Sequence, residues 1–447
     1  MKHQLIAAAA AVLLSGCASL SPDGGFGAAA ADIRSRTGAE TRLLRSEDDQ
    51  RALAAVLRER LQKPITANDA VEIALLNNRA LQARYWDLGI AEADLVQAGR
   101  LQNPGFSFKH MKDGGDVSLE RTLTFNLVGL ITAPLAQRIE GRRFEQVRLD
   151  ITAAALATAT EAREAYYEAL AGAQGAAYAE QVSAAAEAAA ELAQRMQQAG
   201  NWSKYDAARE QAYHADSMAD VSRASRNAVA TREKLARVLG LDAAGIRLPD
   251  RLPELPAAAH QLPDVEQAAM KGRADIAAAR LDMEATAASL GLTRATRFIN
   301  VLELGAVRER EGAARPRGYE ITVEVPLFDW GSARNARAEA VYMQAVNRLA
   351  GTAVHARSEA RESYQAYQSA WALAKHYRDV VIPLRQQISQ ETLLRYNGML
   401  LSVFELLADS REQTVAVNAS INALKEFWIA DARLQAAIGG QTGAKHD

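Results

Sequence analysis

The chain has 447 residues, a formal net charge of −2 at pH 7 and 24% charged residues. This near-neutral balance argues against a nucleic-acid partner, and 28 Gly and 11 Pro are too few to indicate wholesale disorder. Beyond the N-terminus no apolar run reaches the ~18 residues of a transmembrane helix, so any membrane crossing is expected to use a β-barrel.

The N-terminus has the layout of a secretory signal, with a basic start, an apolar run over residues 5–14 and small residues after it. The only cysteine, Cys17, follows directly, so neither an internal disulfide nor a cysteine-based metal site is expected. Residues 14–17 (LSGC) resemble the lipobox of bacterial lipoproteins, which implies cleavage before Cys17 and lipidation of Cys17. In lipoproteins an Asp after the cysteine tends to retain the protein at the inner membrane, so Ala18 at that position favours the outer membrane. The alternative is an ordinary signal peptide with an incidental cysteine.

Short segments recur in the same order about 195 residues apart, which indicates an internal duplication. The matching pairs are Ala133–Leu135 with Val325–Leu327, Glu161–Tyr166 with Glu359–Tyr364, and Gly200–Asp206 with Gly398–Glu405, the last with one inserted residue. A Pro-rich stretch predicts a linker between the halves. The predicted domains are a signal peptide (1–16), an N-terminal lipidated extended segment (17–63), repeat 1 (64–247), the linker (248–263), repeat 2 (264–439) and a C-terminal tail (440–447).

Each repeat is expected to hold one helix, two strands and two long helices joined by a glycine turn. The first helices are predicted over about 65–99 and 264–296, and the first long helix of repeat 1 over about 138–198.

Two stretches alternate with a period of two, from Val117 to Leu127 and from Tyr319 to Leu327, and predict strands with one apolar and one polar face. Partner strands are predicted over about 106–111 and 298–307. Strands of about ten residues suit a tilted bilayer crossing, although a soluble half-buried hairpin has the same alternation.

The first long helix of repeat 2 carries apolar or small residues at steps of four and three, as in the seam of a coiled coil. The seam positions are Tyr342, Val346, Leu349, Ala353, Ala356, Ala360, Ser363, Tyr367, Ala370, Ala374, Tyr377, Val381, Leu384 and Ile388. A helix of ~60 residues is ~90 Å long, which no compact globular domain requires. Pro383 is expected to bend the helix or to open one hydrogen bond.

This plan resembles the TolC family of outer-membrane efflux ducts over nearly the whole chain after the signal. The local matches are NNRALQA (Asn77–Ala83), GRADIAA (Gly272–Ala278), VPLFDWGSARNARAEA (Val325–Ala340), VIPL (Val381–Leu384) and RYNG (Arg395–Gly398). Repeat 1 departs from the pattern, because APLAQRIEG (Ala133–Gly141) lacks the Phe-Asp-Trp-Gly core. The resemblance implies a mainly α fold with a membrane β-barrel. Two tandem repeats would supply long coiled-coil helices for a periplasmic α-barrel and four transmembrane strands per protomer.

The resemblance also implies a homotrimer. Stoichiometry agrees, because four strands cannot close a barrel whose minimum is about eight, whereas three chains supply twelve. Glu120, Glu320 and Glu324 would then line a water-filled lumen, and the apolar strand faces would meet outer-membrane lipid.

In the family, the turns between the long helices dock onto an adaptor protein, and acidic residues after them ring the closed end. The matching residues are Gly200, Ser203, Gly398 and Ser402 in the turns and Asp206 and Glu405 after them. Both glycines are expected to adopt positive φ. A ring of carboxylates would favour cations, although Asp206 and Glu405 also suit helix N-termini electrostatically.

No arrangement of residues typical of catalysis occurs, since the seven His are scattered and no phosphate loop or nucleophile elbow is present. No enzyme activity, cofactor or metal site is therefore expected. The resemblance implies a periplasmic adaptor (membrane fusion) protein and an inner-membrane pump of the RND type as partners. It also implies an outer-membrane location, lipid-anchored and spanning, with a large periplasmic portion. Passive efflux of small toxic compounds or metal ions is favoured; a type I protein-secretion duct and a periplasmic coiled-coil scaffold stay open.

Overall fold

The computed structural model describes residues 19–114, 116–299 and 301–440, and within them the chain is mostly helical with a four-stranded sheet. Cys17 lies outside the described residues, so its lipidation stays a prediction. The elements are α1 Phe26–Thr37, α2 Glu47–Arg60, α3 Ala67–Asn77, α4 Arg79–Ala98, β1 Gly105–Asp113, β2 Asp116–Asn126, α5 Leu127–Gln198, α6 Lys204–Leu239, α7 Val265–Gly272, α8 Ala274–Thr296, β3 Leu302–Glu311, β4 Arg317–Val323, α9 Ser332–His376, α10 Ile382–Asn397 and α11 Val403–Ala437. No helix in these ranges is long and apolar enough to cross a membrane.

The chain divides into two compact units, each assembled from three separate segments. The first comprises Met1–Ala29, Arg84–Thr152 and Ala274–Val354, and it contains the sheet. The second comprises Ala30–Ala83, Ala153–Arg273 and His355–Asp447, and it contains the turns between the long helices. Each unit draws on both predicted repeats, so the units cross the predicted sequential domains, whose boundaries stay a proposal.

The first predicted helix of each repeat is in fact two helices, because one residue in each leaves the helical conformation. In repeat 1 Asn78 has ψ 117°, and its side-chain amide donates to the carbonyl of Val238 at 2.9 Å. In repeat 2 Arg273 has ψ 127°, and its guanidinium donates to the carboxylate of Glu359. Single helices over 65–99 and 264–296 are therefore wrong, since these long-range hydrogen bonds hold each break in place.

The sheet is antiparallel in the order β1-β2-β3-β4, and Thr124 on β2 lies between Gly105 of β1 and Gly305 of β3. The second hairpin is displaced toward its turn relative to the prediction, because β3 runs over Leu302–Glu311 instead of about 298–307 and β4 ends at Val323 instead of Leu327. Pro326 follows soon after and cannot donate to a ladder, which is consistent with the early end of β4.

The first long helix, α5, begins directly after β2 at Leu127, well before the predicted start near residue 138. Asn126 accounts for the early start, since its side-chain oxygen accepts a hydrogen bond from the backbone N–H of Gly129 at 2.8 Å. Pro134 consequently lies inside the helix, where it removes one backbone hydrogen bond.

The predicted seam of repeat 2 is confirmed along α9. Its positions from Tyr342 to Val381 are all buried or half-buried, and Ala356, Ala360 and Tyr367 have no exposed surface. The remaining two, Leu384 and Ile388, are 52% and 45% exposed, so the prediction is wrong there.

A π-helical turn over Tyr377–Val381 explains this change of face. At its end the backbone N–H of Ile382 donates to the carbonyl of Tyr377, five residues back instead of four. The covered positions therefore move on by one residue, to Arg385, Ser389, Thr392 and Tyr396. Pro383 lies just beyond this turn and has no N–H, so the disturbance that its sequence position predicted takes the form of a π turn.

Aromatic side chains hold the Pro-rich linker, which is part of the second unit, against the helices of that unit. Trp428 stacks on Tyr167 with ring centroids 5.4 Å apart, and its Nε1–H donates to the carbonyl of Pro253 at 3.1 Å. Trp371 makes the equivalent bond to the carbonyl of Pro256 at 3.2 Å. The linker is therefore part of a packed core.

Candidate functional site

One face of the sheet is apolar and exposed in the protomer. Its large exposed apolar side chains are Phe106, Phe108, Val117, Leu123, Phe125, Leu304, Tyr319, Ile321 and Val323. The alternation on β2 and β4 predicted this face, and the strand register extends it to β1 and β3. A continuous apolar face of this extent requires a covering surface, either lipid or protein.

The opposite face of the sheet carries Glu120 and Glu320, as predicted. Glu120 lies between Lys109 of β1 and Glu309 of β3, and Glu320 lies opposite Gly305. Glu324 lies one residue beyond the end of β4, where its backbone N–H donates to the carbonyl of Val301 at 3.2 Å, so its place on this face stays a prediction.

The same polar face holds three further carboxylates that the sequence reasoning missed: Glu303, Glu309 and Glu311 of β3. The available signal was that their positions differ by even numbers, since residues two apart share a face of a strand. In the described part of the chain, no group of three or more His, Cys, Asp or Glu is placed to hold a metal ion.

The two turns between the long helices have the same backbone form. In the first, the N–H of Asn201 donates to the carbonyl of Met196 at 2.9 Å, and Gly200 has φ +78°. In the second, the N–H of Leu400 donates to the carbonyl of Arg395 at 2.8 Å, and Met399 has φ +59°.

Met399 is therefore the counterpart of Gly200, and no residue is inserted between this point and the next helix. The expectation of positive φ at Gly398 is wrong, because its φ is −78°. Helix α10 continues for one residue more than the glycine suggested, and the left-handed position falls on Met399.

The predicted gate carboxylates both bind the serine at the start of their own helix. The hydroxyl of Ser203 donates to Asp206 at 2.6 Å, and the N–H of Asp206 donates back to that hydroxyl at 3.0 Å. Glu405 accepts from the backbone N–H of Ser402 at 2.9 Å and from its hydroxyl at 3.0 Å. The arrangement is that of helix caps. The alternative role given in the sequence analysis, stabilisation of a helix N-terminus, is therefore present at both sites.

A charged pair that the sequence did not indicate joins α6 to α11 near these turns. Arg411 contacts Glu210, whose side chain is only 2% exposed, and lies 4.2 Å from the ring centroid of Tyr213. Arg411 Nε and the neighbouring Asp409 Oδ2 are buried without a hydrogen-bond partner among the described residues. Such pairing depends on the packing of two helices that are distant in sequence, and no local motif predicts it.

No protein-family model matches the chain, and no curated protein matches it. Solved structures do match it. The Campylobacter jejuni CmeC outer membrane channel has a TM-score of 0.70 and 17% identity, covering 84% of this chain and 85% of that chain. The outer-membrane channel OprN has a TM-score of 0.70 and 20% identity, covering 92% and 96%. The Neisseria gonorrhoeae MtrE outer membrane channel has a TM-score of 0.67 and 19% identity, covering 85% and 89%.

The chain thus has the fold of TolC-like outer membrane channels. The resemblance that its motifs predicted is confirmed at the level of the fold.

Proposed function

We propose that three copies of the chain form a channel through the outer membrane. The observation that carries the proposal is the fold, which outer membrane channels share over more than four-fifths of the chain. The four strands of each protomer contribute to a twelve-stranded β-barrel, whose exposed apolar face meets lipid. Glu120 and Glu320 face its water-filled lumen, and Glu324 lies at the end of that lumen nearest the helices.

The channel conducts small toxic compounds or metal ions outward in a tripartite efflux system. The long helices of three protomers form a periplasmic α-barrel, and an inner-membrane pump of the RND type supplies the energy through a periplasmic adaptor. The pattern of five strand carboxylates on one face supports a polar conduit, because charged side chains require water around them.

The turns containing Gly200, Ser203, Gly398 and Ser402 dock onto the adaptor. Support comes from the apolar side chains that these turns expose, since Met399 is 94% and Leu400 77% exposed. Asp206 and Glu405 of three protomers form the gate carboxylates while also capping their helices. Lipid on Cys17 adds a tether at the outer membrane.

The first test is the assembly and conductance of the purified full-length chain. We expect a heat-labile trimer of about three times the monomer mass and discrete conductance steps in planar bilayers. Ile321→Arg should greatly reduce insertion, because a cation on a lipid-facing strand position near the midplane costs ~2–4 kcal/mol.

Thr322→Arg is the matched control, since it adds the same charge to the same strand on the polar face. That variant should conduct. A folded trimer that shows no conductance would overturn the channel and favour a periplasmic scaffold.

A further inference from the structure

Three arginines lie side by side on the apolar face of the sheet. Arg121 of β2 is the register partner of Arg308 of β3, and Arg308 is the partner of Arg317 of β4. All three are exposed, and none makes an ion pair or side-chain hydrogen bond with the residues that the structure describes. They form a row across three adjacent strands, named here the arginine row.

The arginine row has no carboxylate to neutralise it on its own face. Within the described side chains, this face carries His110, Lys112, Arg310 and Tyr319 as further titratable groups, whereas the glutamates of the four strands lie on the other face. Neighbouring strands are ~4.8 Å apart, and like charges directly opposite one another destabilise a sheet. A bound anion would remove this repulsion.

On the side toward Phe106 and Leu123 the surroundings of the row are apolar. A shallow depression of about 370 Å³ is lined by the three arginines together with Phe106, Leu123 and Ala306. A ligand that fills it therefore needs an anionic group for the guanidinium groups and a hydrocarbon part for the neighbouring side chains. Guanidinium groups match phosphate oxygens in geometry, because each offers a planar fork of N–H donors.

The position of the row along the strands fits the edge of a membrane. From Arg317 to Val323 the exposed face of β4 carries Tyr319 and Ile321 and no charge. Six residues of strand extend about 20 Å along the strand axis. The exposed Val325 and Leu327 continue the apolar side chains beyond Val323, so the apolar stretch that begins after Arg317 has the length that a tilted strand needs to cross the ~25 Å apolar band. The arginines therefore lie where lipid phosphates border that band.

We propose that Arg121, Arg308 and Arg317 bind the phosphate of a membrane lipid headgroup, whose acyl chains lie against Phe106 and Leu123. This inference rests on the proposed function, because it requires the apolar face to meet lipid. Each protomer of the trimer carries one such site.

The test is lipid binding to the detergent-solubilised full-length trimer, measured by native mass spectrometry with lipid A as the probe, since that lipid carries two phosphates. The variant Arg121→Gln/Arg308→Gln/Arg317→Gln is compared with Arg209→Gln/Arg226→Gln/Arg357→Gln. The control removes three exposed arginines on helices, none with an ion pair to a described residue. Dephosphorylated lipid A on the unaltered chain tests the phosphate without any substitution.

We expect the row variant and the dephosphorylated lipid each to weaken binding at least tenfold, with the control variant unchanged. Equal binding of phosphorylated and dephosphorylated lipid would overturn the proposal. So would displacement of the lipid by 10 mM inorganic phosphate, which would indicate a site for small anions. Conductance of the unaltered chain in neutral phosphatidylcholine is recorded separately, so loss of the lipid site and loss of the channel function are distinguished.

Discussion

Arg411 on α11 donates a hydrogen bond to Glu210 on α6 at 2.7 Å, and this contact joins the two helices that follow the turns. The carboxylate of Glu210 is almost completely buried, and the guanidinium of Arg411 also packs on Tyr213. Removing one partner of such a pair leaves the other buried and uncompensated, which costs far more than the net value of the pair.

Arg411→Ala should therefore destabilise the second unit by about 3–5 kcal/mol. Glu210→Met/Arg411→Met should recover most of that loss, because it removes both charges and keeps the volume. Arg209→Ala, next to Glu210 but exposed, should change stability by less than ~0.5 kcal/mol. Chemical unfolding followed by circular dichroism measures all three. Equal stability of Arg411→Ala and the double variant would contradict the role given to the buried charge.

The two turn glycines should respond in opposite ways to alanine. Gly200→Ala should destabilise by about 1–2 kcal/mol, because φ is +78° there. Gly398→Ala should be nearly neutral, since φ is −78° and an added Cβ meets no atom closer than 3.5 Å. Met399→Gly should stabilise the second turn by removing the strain at φ +59°. Melting temperatures of the trimer compare the three variants. Equal effects of alanine at the two glycines would refute the assignment of Met399 as the counterpart of Gly200.

The gate hypothesis predicts that Asp206→Asn with Glu405→Gln lowers cation selectivity of the conductance. The serine variants Ser203→Ala and Ser402→Ala separate gating from capping, since they remove the cap hydroxyls and keep the carboxylates. They should lower stability by about 1 kcal/mol each and leave selectivity unchanged. The measurement is the reversal potential under a salt gradient. An unchanged reversal potential in the carboxylate variant would rule out the proposed ring of carboxylates.

Alkaline pH should weaken the second unit through Tyr166. Its side chain is 3% exposed, and burial raises the pKa of its hydroxyl from the ordinary 10.0 to about 12. Between these values the unfolded chain releases the proton and the folded chain does not, so the free energy of unfolding falls as pH rises. The full difference corresponds to roughly 3 kcal/mol. Tyr166→Phe should reduce the pH dependence of the free energy of unfolding above pH 10 and leave that dependence unchanged around pH 8. Chemical unfolding in the two pH ranges measures both.

Cys17→Ser with a conventional signal peptide should still yield some functional trimer, because the strands hold the channel in the membrane in the proposed arrangement. Outer-membrane fractionation and conductance of the recovered protein measure this. Complete loss of assembly would show that the lipid does more than tether.

The sequence predicted those parts of the fold in which local pattern and final structure agree. The apolar face of β4 follows from the alternation of Tyr319, Ile321 and Val323, and the seam of α9 follows from spacing alone. It could not predict the break at Asn78, since the bond that holds it reaches the carbonyl of Val238, 160 residues away.

The candidate site shows the same limit. The carboxylates after the turns were found because the family resemblance places acidic residues there, whereas Glu210 and Arg411 are 201 residues apart and meet only through packing. The arginine row was equally invisible, because strand register and not local sequence aligns Arg308 with its two neighbours.

The π turn ahead of Pro383 also accounts for a difference in length between the two halves. From Glu161 to Ser203 the first half advances 42 residues, and from Glu359 to Ser402 the second advances 43. Because the two turns correspond residue for residue from Gly200 and Met399 onward, the surplus residue lies upstream of Met399, in the stretch that contains the π turn over Tyr377–Val381. The π turn takes up one extra residue within a single helical turn, so the residues beyond it can keep their correspondence with the first half.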